Sequence, residues 1–208
     1  QSAYAQAQQE NRAAQEKLSH FDEVLSEYRT YSMEWMEDGE DSDLNFAVER
    51  TEMLDLIERT VQSLEGVHRA TVHLYNATAP VFRDVVFRTD RAGTKAIAVS
   101  GTRDVMDFYA KYLDDDAVLG YEYSPEIFID TEIEYALEVC EAVMDEWQPA
   151  GEREIVLNLP ATIERATPNV YADQIEWMSR NLSRRDSVCL SVHPHNDRGC
   201  AVADTEMG

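Results

Sequence analysis

Apolar residues recur along the first part of the chain at spacings of three, four or seven, the periodicity of one helix face. This row consists of Tyr4, Ala7, Ala14, Leu18, Phe21, Leu25 and Tyr28. After an acidic turn at residues 37–43 (EDGEDSD), the same spacing predicts a second helix from about Asn45 to Leu64, and Gly66 can end it. Its apolar face holds Met53, Ile57, Val61 and Leu64. We interpret residues 1–66 as packed helices with solvated acidic faces; a coiled-coil partner site is the alternative.

From residue 67 onward the pattern changes to alternating strands and helices. Strands are expected at residues 70–75, 119–123, 154–158 and 187–192. Helices are expected at 102–112 and 133–147, after Thr167-Pro168 and after Asp197, and Thr131 and Glu134 have the spacing of a capping box. Strand–helix alternation at this interval is typical of right-handed βαβ units. The pattern therefore predicts an α/β domain at 67–208, with four parallel strands adjacent in chain order and helices on the outer face.

Composition excludes several classes of function. The 208 residues carry a formal net charge of -23, which disfavours binding to nucleic acid or to an anionic membrane. Residues 1–66 hold 16 acidic and 5 basic side chains, a net of -11. No apolar run approaches the roughly 20 residues of a membrane helix, and the first residues do not resemble a signal peptide. The three widely spaced cysteines indicate reduced thiols. We therefore expect a cytoplasmic protein that binds neither nucleic acid nor membrane.

Polar side chains follow each of the four expected strands. At or just beyond the carboxyl ends they are His73, Tyr75 and Asn76 for the first strand, Ser124 and Glu126 for the second, Thr162 for the third, and His193 and His195 for the fourth. In parallel sheets, chemistry gathers at the carboxyl ends of the strands. We therefore expect His73, Glu126, Thr162, His193 and His195 to face one shared concave surface.

His193 and His195 are the candidate metal ligands. Strand alternation places both imidazoles on one side, and neutral imidazole commonly binds divalent metals. Two histidines are not a complete site, and coincidence is the alternative. Taken alone, His73 is more often a core histidine and Thr162 a loop cap. Glu126 has the position to orient a ligand or a substrate hydroxyl.

Other residues near the strand ends are interpreted as structural. Asp197 is expected to cap a helix, and Cys189 to lie in the core. Arg198 either pairs with a carboxylate of a neighbouring strand or lies on the surface. The aromatic residues interpreted as packing are Trp35, Phe108, Tyr109, Trp147 and Trp177.

Several of these segments resemble one family. Residues 193–199 (HPHNDRG) are similar to the second metal motif of metal-dependent, aldolase-type acyltransferases built on a TIM barrel, and specifically of the long bacterial 2-isopropylmalate synthases. Four further stretches agree in order and spacing: 73–78 (HLYNAT), 123–126 (YSPE), 158–162 (NLPAT), and 167–173 (TPNVYAD) running into 176–181 (EWMSRN). The resemblance covers about residues 53–208, and the first 45 or so are unmatched. It implies part of a TIM barrel, about strands four to seven, which here follows the acidic helical segment.

The resemblance implies a Claisen condensation of acetyl-CoA with 2-oxoisovalerate, which gives 2-isopropylmalate and CoA in leucine biosynthesis. It implies a divalent metal cation held by His193 and His195, with Thr162 on the oxo-acid carboxylate. His73 and Glu126 would line the oxo-acid pocket. The supporting residues would be Tyr75, Asn76, Ser124 and Asn169. The full-length enzyme would be a homodimer.

Two motifs of the family have no counterpart here. An Asp-Arg-Asp-Gly motif, which supplies the first metal ligand in the family, is absent before Arg69. A Gly-Asn-Gly motif does not occur between residues 199 and 208. We therefore expect negligible synthase activity and weak metal affinity from this chain alone. Two alternatives stay open. One is a related acyltransferase, such as a citramalate or homocitrate synthase, and the other is a non-catalytic interaction protein with a relic half barrel.

Overall fold

The computed structural model describes residues 42–114, 116–150, 153 and 155–208, with side chains from residue 51 onward. Its helices are α1 (Ser42–Gln62), α2 (Arg91–Tyr112), α3 (Ile133–Trp147), α4 (Pro168–Asn181) and α5 (Ala201–Met207). Its strands are β1 (Arg69–Ala77), β2 (Val118–Glu126), β3 (Ile155–Ala161) and β4 (Val188–Pro194). A π-helical turn at Phe82–Val86 and short 3-10 turns at Phe128–Asp130 and Arg185–Ser187 complete these elements. The apolar row of residues 4–28 lies outside the described residues.

The four strands form one parallel sheet in the order β1-β2-β3-β4. This confirms the prediction of adjacent parallel strands. In register, His73 lies beside Glu122, and Tyr75 lies beside Ser124. Between β3 and β4, Asn158 lies beside Ser191, and Pro160 beside His193. The carboxyl ends of all four strands therefore meet at one edge.

Three strands include a proline near their carboxyl ends: Pro125 in β2, Pro160 in β3, and Pro194 as the last residue of β4. The prediction that the second strand stops at Ser124-Pro125 is wrong, since β2 continues to Glu126. Proline lacks a backbone donor but keeps its carbonyl. The β2–β3 pairing ends at Tyr123 and Leu157, so Pro125 removes no hydrogen bond from that ladder.

Helix starts differ from the expected ones at three places. α2 begins at Arg91 because the Asp90 carboxylate accepts a hydrogen bond from the Gly93 N–H at 2.8 Å. The prediction of a capping box at Thr131 is wrong. The Thr131 hydroxyl donates to the Ile127 carbonyl at 2.9 Å, and Glu132 is the residue before α3. The last helix begins at Ala201 rather than directly after Asp197.

The core lies on one face of the sheet, where the helices pack. Residues 52–208 form a compact unit, and Ile57 and Val61 of α1 are buried in its core. This unit therefore begins before the boundary at residue 66 that the sequence suggested. Helix α2 approaches β1 closely at Gly101, where an added Cβ would lie 2.8 Å from Leu74 Cδ2.

Aromatic packing fills this core. The Trp147 ring stacks on the Tyr121 ring at 4.8 Å between centroids, and the Tyr121 hydroxyl lies 2.8 Å from the Thr102 hydroxyl. Trp147 and Tyr109 are buried, and Phe108 and Trp177 pack against the same cluster. These four aromatic residues thus pack as expected; Trp35 lies outside the described residues. In the part of the chain that the structure describes, no helix combines the length and the apolarity that a membrane span requires.

Candidate active site at the strand ends

A line of polar side chains crosses the face of the sheet opposite the helices. His73 Nε2 lies 2.7 Å from Ser124 Oγ, and the Asn158 amide donates to the same hydroxyl at 2.8 Å. The Asn158 Nδ2 atom also lies 3.2 Å from His193 Nδ1. One hydrogen-bonded line thus joins β1, β2, β3 and β4 and brings His73, Ser124 and His193 together. Alternation explains its face, because the neighbours Leu157 and Leu159 are buried on the helix side.

His73 has two further neighbours on this face. Its Nε2 atom lies 3.7 Å from the Glu122 carboxylate, and its ring lies 5.7 Å from the Tyr75 ring. Tyr75 is 60% exposed, so its ring and hydroxyl are accessible to a ligand. The β1 end of the line, at His73 and Tyr75, is therefore accessible to small polar molecules.

Thr162 is tied to the end of β2. Its hydroxyl oxygen accepts a hydrogen bond from the Ile127 N–H at 3.1 Å. Ile127 is a buried residue in the left-handed backbone region, with φ of 58°, which is strained for a β-branched side chain. Since Thr162 uses its oxygen as an acceptor here, its hydroxyl hydrogen remains available as a donor. The contact fixes the chain directly after Glu126.

Glu126 and His195 are electrostatically coupled. Burial raises the pKa of the Glu126 carboxyl, and the nearby His195 imidazole partly offsets this, so the pKa ends above its ordinary value. The His195 N–H donates to the Ala161 carbonyl at 3.2 Å, which continues the pairing of β4 with β3 past the strand. The His193 and His195 rings lie 5.2 Å apart, so both imidazoles occupy one edge of the site.

Tyr171 of α4 supports the end of β4 from the helix side. Its hydroxyl accepts a hydrogen bond from the His193 N–H at 3.1 Å and donates to the Leu159 carbonyl at 2.5 Å. Burial raises the pKa of the Tyr171 hydroxyl to about 12, so it stays a donor at neutral pH. The backbone that carries His193 is thus held from the helix side of the sheet.

The loops that follow β3 and β4 are joined by a clamp around Glu164, a residue 3% exposed. Its carboxylate accepts hydrogen bonds from the Arg198 and Cys200 N–H groups, and the Glu164 N–H donates to the Asp197 carboxylate at 2.9 Å. The Arg198 guanidinium donates to the Glu164 and Ala166 carbonyls. Asp197 therefore caps this loop and not a helix, which corrects the expectation. Arg198 contacts a carboxylate, but through its backbone.

Two predicted site residues lie away from the polar line. Asn76 is buried, and its Oδ1 atom accepts a hydrogen bond from the Tyr123 hydroxyl at 2.8 Å. Asn169 is exposed at the start of α4, where its side chain accepts from the Thr167 hydroxyl at 2.7 Å. Cys189 is exposed rather than in the core, because it shares the open face with His193.

The two imidazoles fit part of a metal site. Among the described residues, no group of three or more His, Cys, Asp or Glu side chains is placed to hold a metal ion together. His193 and His195 supply two nitrogen donors at adjacent positions, a common partial ligand set for divalent cations. Their assignment as metal ligands therefore stays a proposal.

Sequence reasoning missed the residues that connect the site. Asn158 and Glu122 were not assigned to it, although each occupies the polar-facing position of its strand. Glu164 was also missed, and its sequence position gave little indication, because a carboxylate three residues after a strand is usually solvated. For Asn158 the signal was a polar residue alternating with Leu157 and Leu159.

The architecture defines an α/β protein with a four-stranded parallel sheet, and polar side chains gather at the carboxyl edge of that sheet. The sequence model of the HMGL-like family, a family of TIM-barrel proteins, matches residues 14–208, and the chain belongs to this family. The match includes much of the acidic segment that motif comparison had left without a counterpart.

Individual relatives give a finer comparison. The chain is 67% identical over 171 residues to a 2-isopropylmalate synthase of Thermobifida fusca, which covers 82% of this chain and 30% of that protein. It is 63% identical to one of Streptosporangium roseum and 58% identical to one of Ralstonia pickettii, each over 74% of this chain and 26% of the relative. The chain therefore spans between a quarter and a third of the length of these relatives.

Proposed function

We propose that this chain supplies the oxo-acid side of a 2-isopropylmalate synthase active site. The reaction joins acetyl-CoA to 2-oxoisovalerate and releases 2-isopropylmalate and CoA. The observation that supports this most is the hydrogen-bonded line from His73 to His193, which ends beside His195. It occurs in a chain 67% identical to a protein of that name. A divalent cation bound by His193 and His195 would polarise the oxo-acid carbonyl.

Side chains in and around the line have roles suited to an oxo acid. The Thr162 hydroxyl has a free hydrogen to donate to the carboxylate of the substrate, since its oxygen already accepts from Ile127. His73 and Ser124 present polar groups on the same face, and Tyr75 flanks them. In this proposal Asn169 joins the pocket from the start of α4.

Glu126 contributes a carboxyl of raised pKa next to His195. Partial burial lets it hold a proton more readily than an exposed carboxyl does, so it can donate a hydrogen bond to a substrate oxygen or accept one.

During the reaction a proton leaves the acetyl methyl group, a carbon–carbon bond forms to the ketone, and water cleaves the thioester. No residue of this chain is assigned as the base that removes the methyl proton. We further propose that the full-length enzyme is a cytoplasmic homodimer.

A segment exchange tests the proposal. The 171-residue segment of the Thermobifida fusca protein is replaced by the matching residues of this chain, and CoA-thiol release from acetyl-CoA is measured with 2-oxoisovalerate. We expect turnover that depends on a divalent metal and that is lost in a His193→Ala, His195→Ala double variant. His68→Ala, directly before β1 and so at the opposite edge of the sheet, is the matched control and retains activity.

The other outcomes are equally informative. A folded hybrid that prefers pyruvate or 2-oxoglutarate would contradict the assigned substrate and favour a citramalate or homocitrate synthase. A folded hybrid without turnover on any oxo acid would contradict the catalytic proposal and favour a relic half barrel.

A further inference from the structure

A single nitrogen of Asn158 serves two partners, Ser124 Oγ at 2.8 Å and His193 Nδ1 at 3.2 Å. An amide nitrogen only donates hydrogen bonds. In this arrangement His193 Nδ1 must therefore be the unprotonated nitrogen, and the ring proton of the neutral imidazole is on Nε2. Asn158 is 3% exposed, so bulk water does not replace this contact.

In this arrangement neither ring nitrogen of His193 has a free lone pair for a cation. Its Nδ1 lone pair is used by Asn158, and its Nε2 atom carries the proton. An imidazole that binds a metal offers one unprotonated nitrogen to the ion, and its other N–H normally donates to a carboxylate, carbonyl or water. If His193 binds the ion through Nε2, its Nδ1–H needs a hydrogen-bond acceptor at the place that Asn158 Nδ2 now occupies.

A half-turn of the Asn158 amide supplies that acceptor without moving the backbone. Its Oδ1 atom then takes the position of Nδ2, within reach of both His193 Nδ1 and Ser124 Oγ. The ring proton of His193 is now on Nδ1 and donates to Oδ1, and the Ser124 hydroxyl donates to the same oxygen. Ser124 Oγ can then accept a hydrogen bond from His73, whose Nε2 atom lies 2.7 Å away, when that nitrogen carries the ring proton. No proton is gained or lost, and His193 Nε2 becomes free.

We propose that Asn158 is a positioning residue whose amide turns over when a divalent cation binds, and thereby selects the His193 nitrogen that faces the cation. This inference deepens the proposed function and rests on it for the identity of the metal ligand. It also couples the two ends of the line, because the direction of the Ser124 hydroxyl reverses with the amide. In this proposal Asn158 acts on the cation through His193.

The tautomer of His193 is measurable in this chain without any turnover. Long-range proton–nitrogen NMR spectra of the imidazole rings distinguish the two nitrogens. In the metal-free protein at pH 8 we expect the proton on Nε2. With Zn²⁺ added, we expect it on Nδ1, with Nε2 bound to the ion. A proton already on Nδ1 without metal, or zinc bound through Nδ1, would overturn the proposal.

An Asn158→Leu variant tests the same point independently. It keeps the volume but loses both hydrogen bonds, so His193 should populate both tautomers, and Zn²⁺ affinity should fall about 10–100-fold. Asn181→Leu, an exposed position on α4, is the matched control. If Asn158→Leu leaves the tautomer and the zinc affinity unchanged, the proposal is wrong. The wild-type spectra decide the matter even where the variant does not fold, and they do so whether or not the segment exchange yields synthase activity.

Discussion

Glu164 and Arg198 lie 34 positions apart, and Arg198 donates to Glu164 twice, from its backbone N–H to the carboxylate and from its guanidinium to the carbonyl, the latter at 3.3 Å. This double contact ties the loop after β3 to the loop after β4. Between them these loops carry Thr162 and His195. Gly199, with φ of 84°, allows the second loop to turn its N–H groups toward the carboxylate.

Glu164→Gln should loosen this clamp. A carboxylate accepts from two N–H groups, whereas the amide offers one oxygen and turns an NH₂ group toward the other donor. We expect hydrogen exchange at the Arg198 and Cys200 amides to accelerate about tenfold, since local opening no longer breaks both bonds. Glu176→Gln on the exposed face of α4 is the control. Unchanged exchange at both amides would show that the clamp does not hold the loop.

Tyr123→Phe should destabilise the protein. The Tyr123 hydroxyl donates to Asn76 Oδ1, and Asn76 Nδ2 is buried without a partner among the described residues. Removing the hydroxyl leaves the buried Oδ1 atom unsatisfied as well, which costs about 1–3 kcal/mol in the free energy of unfolding. Urea unfolding measures this, and Tyr75→Phe on the exposed face should change the free energy of unfolding little. Equal effects of the two substitutions would contradict the burial of this contact.

Acid should weaken the pairing of Glu132 with Arg83. Bidentate hydrogen bonds from the Arg83 guanidinium, at 2.7 and 2.9 Å, lower the pKa of Glu132 to about 2 from an ordinary 4.5. Because the pKa of Glu132 is lower in the folded than in the unfolded state, its pairing with Arg83 stabilises the fold above pH 4.5. This stabilisation is lost as the pH falls toward 2. The free energy of unfolding should therefore drop less steeply across this window in Glu132→Gln than in the wild type. Parallel pH profiles for the two proteins would contradict this assignment.

Thr162→Val should impair use of the oxo acid in the hybrid enzyme. It removes both the donor for the substrate carboxylate and the acceptor for the Ile127 N–H. We expect the KM for 2-oxoisovalerate to rise at least about tenfold, with the KM for acetyl-CoA unchanged. Thr162→Ser keeps the hydroxyl and should restore most of the loss. A rise in both KM values would indicate a general disturbance of the β2 end instead.

The sequence predicted the strands and their order because their apolar runs are bounded by polar residues and turns. It placed His73 and His193 on one surface because strand ends are recognisable and parallel strands share an edge. It did not predict that Asn76 faces Tyr123, since a residue at a strand end can turn either way. The Glu164 clamp depends on contacts between two loops, and no periodicity along the chain encodes such contacts.

The position of a bound cation tests the central claim most directly. Mn²⁺ broadens NMR signals steeply with distance, so a titration of this chain locates the ion relative to each strand. We predict that His193, His195 and Asn158 broaden first, that His68 at the amino end of β1 stays sharp, and that His193→Ala, His195→Ala removes the effect. Broadening that instead follows the acidic surface, and persists in the double variant, would contradict a metal site at the strand ends.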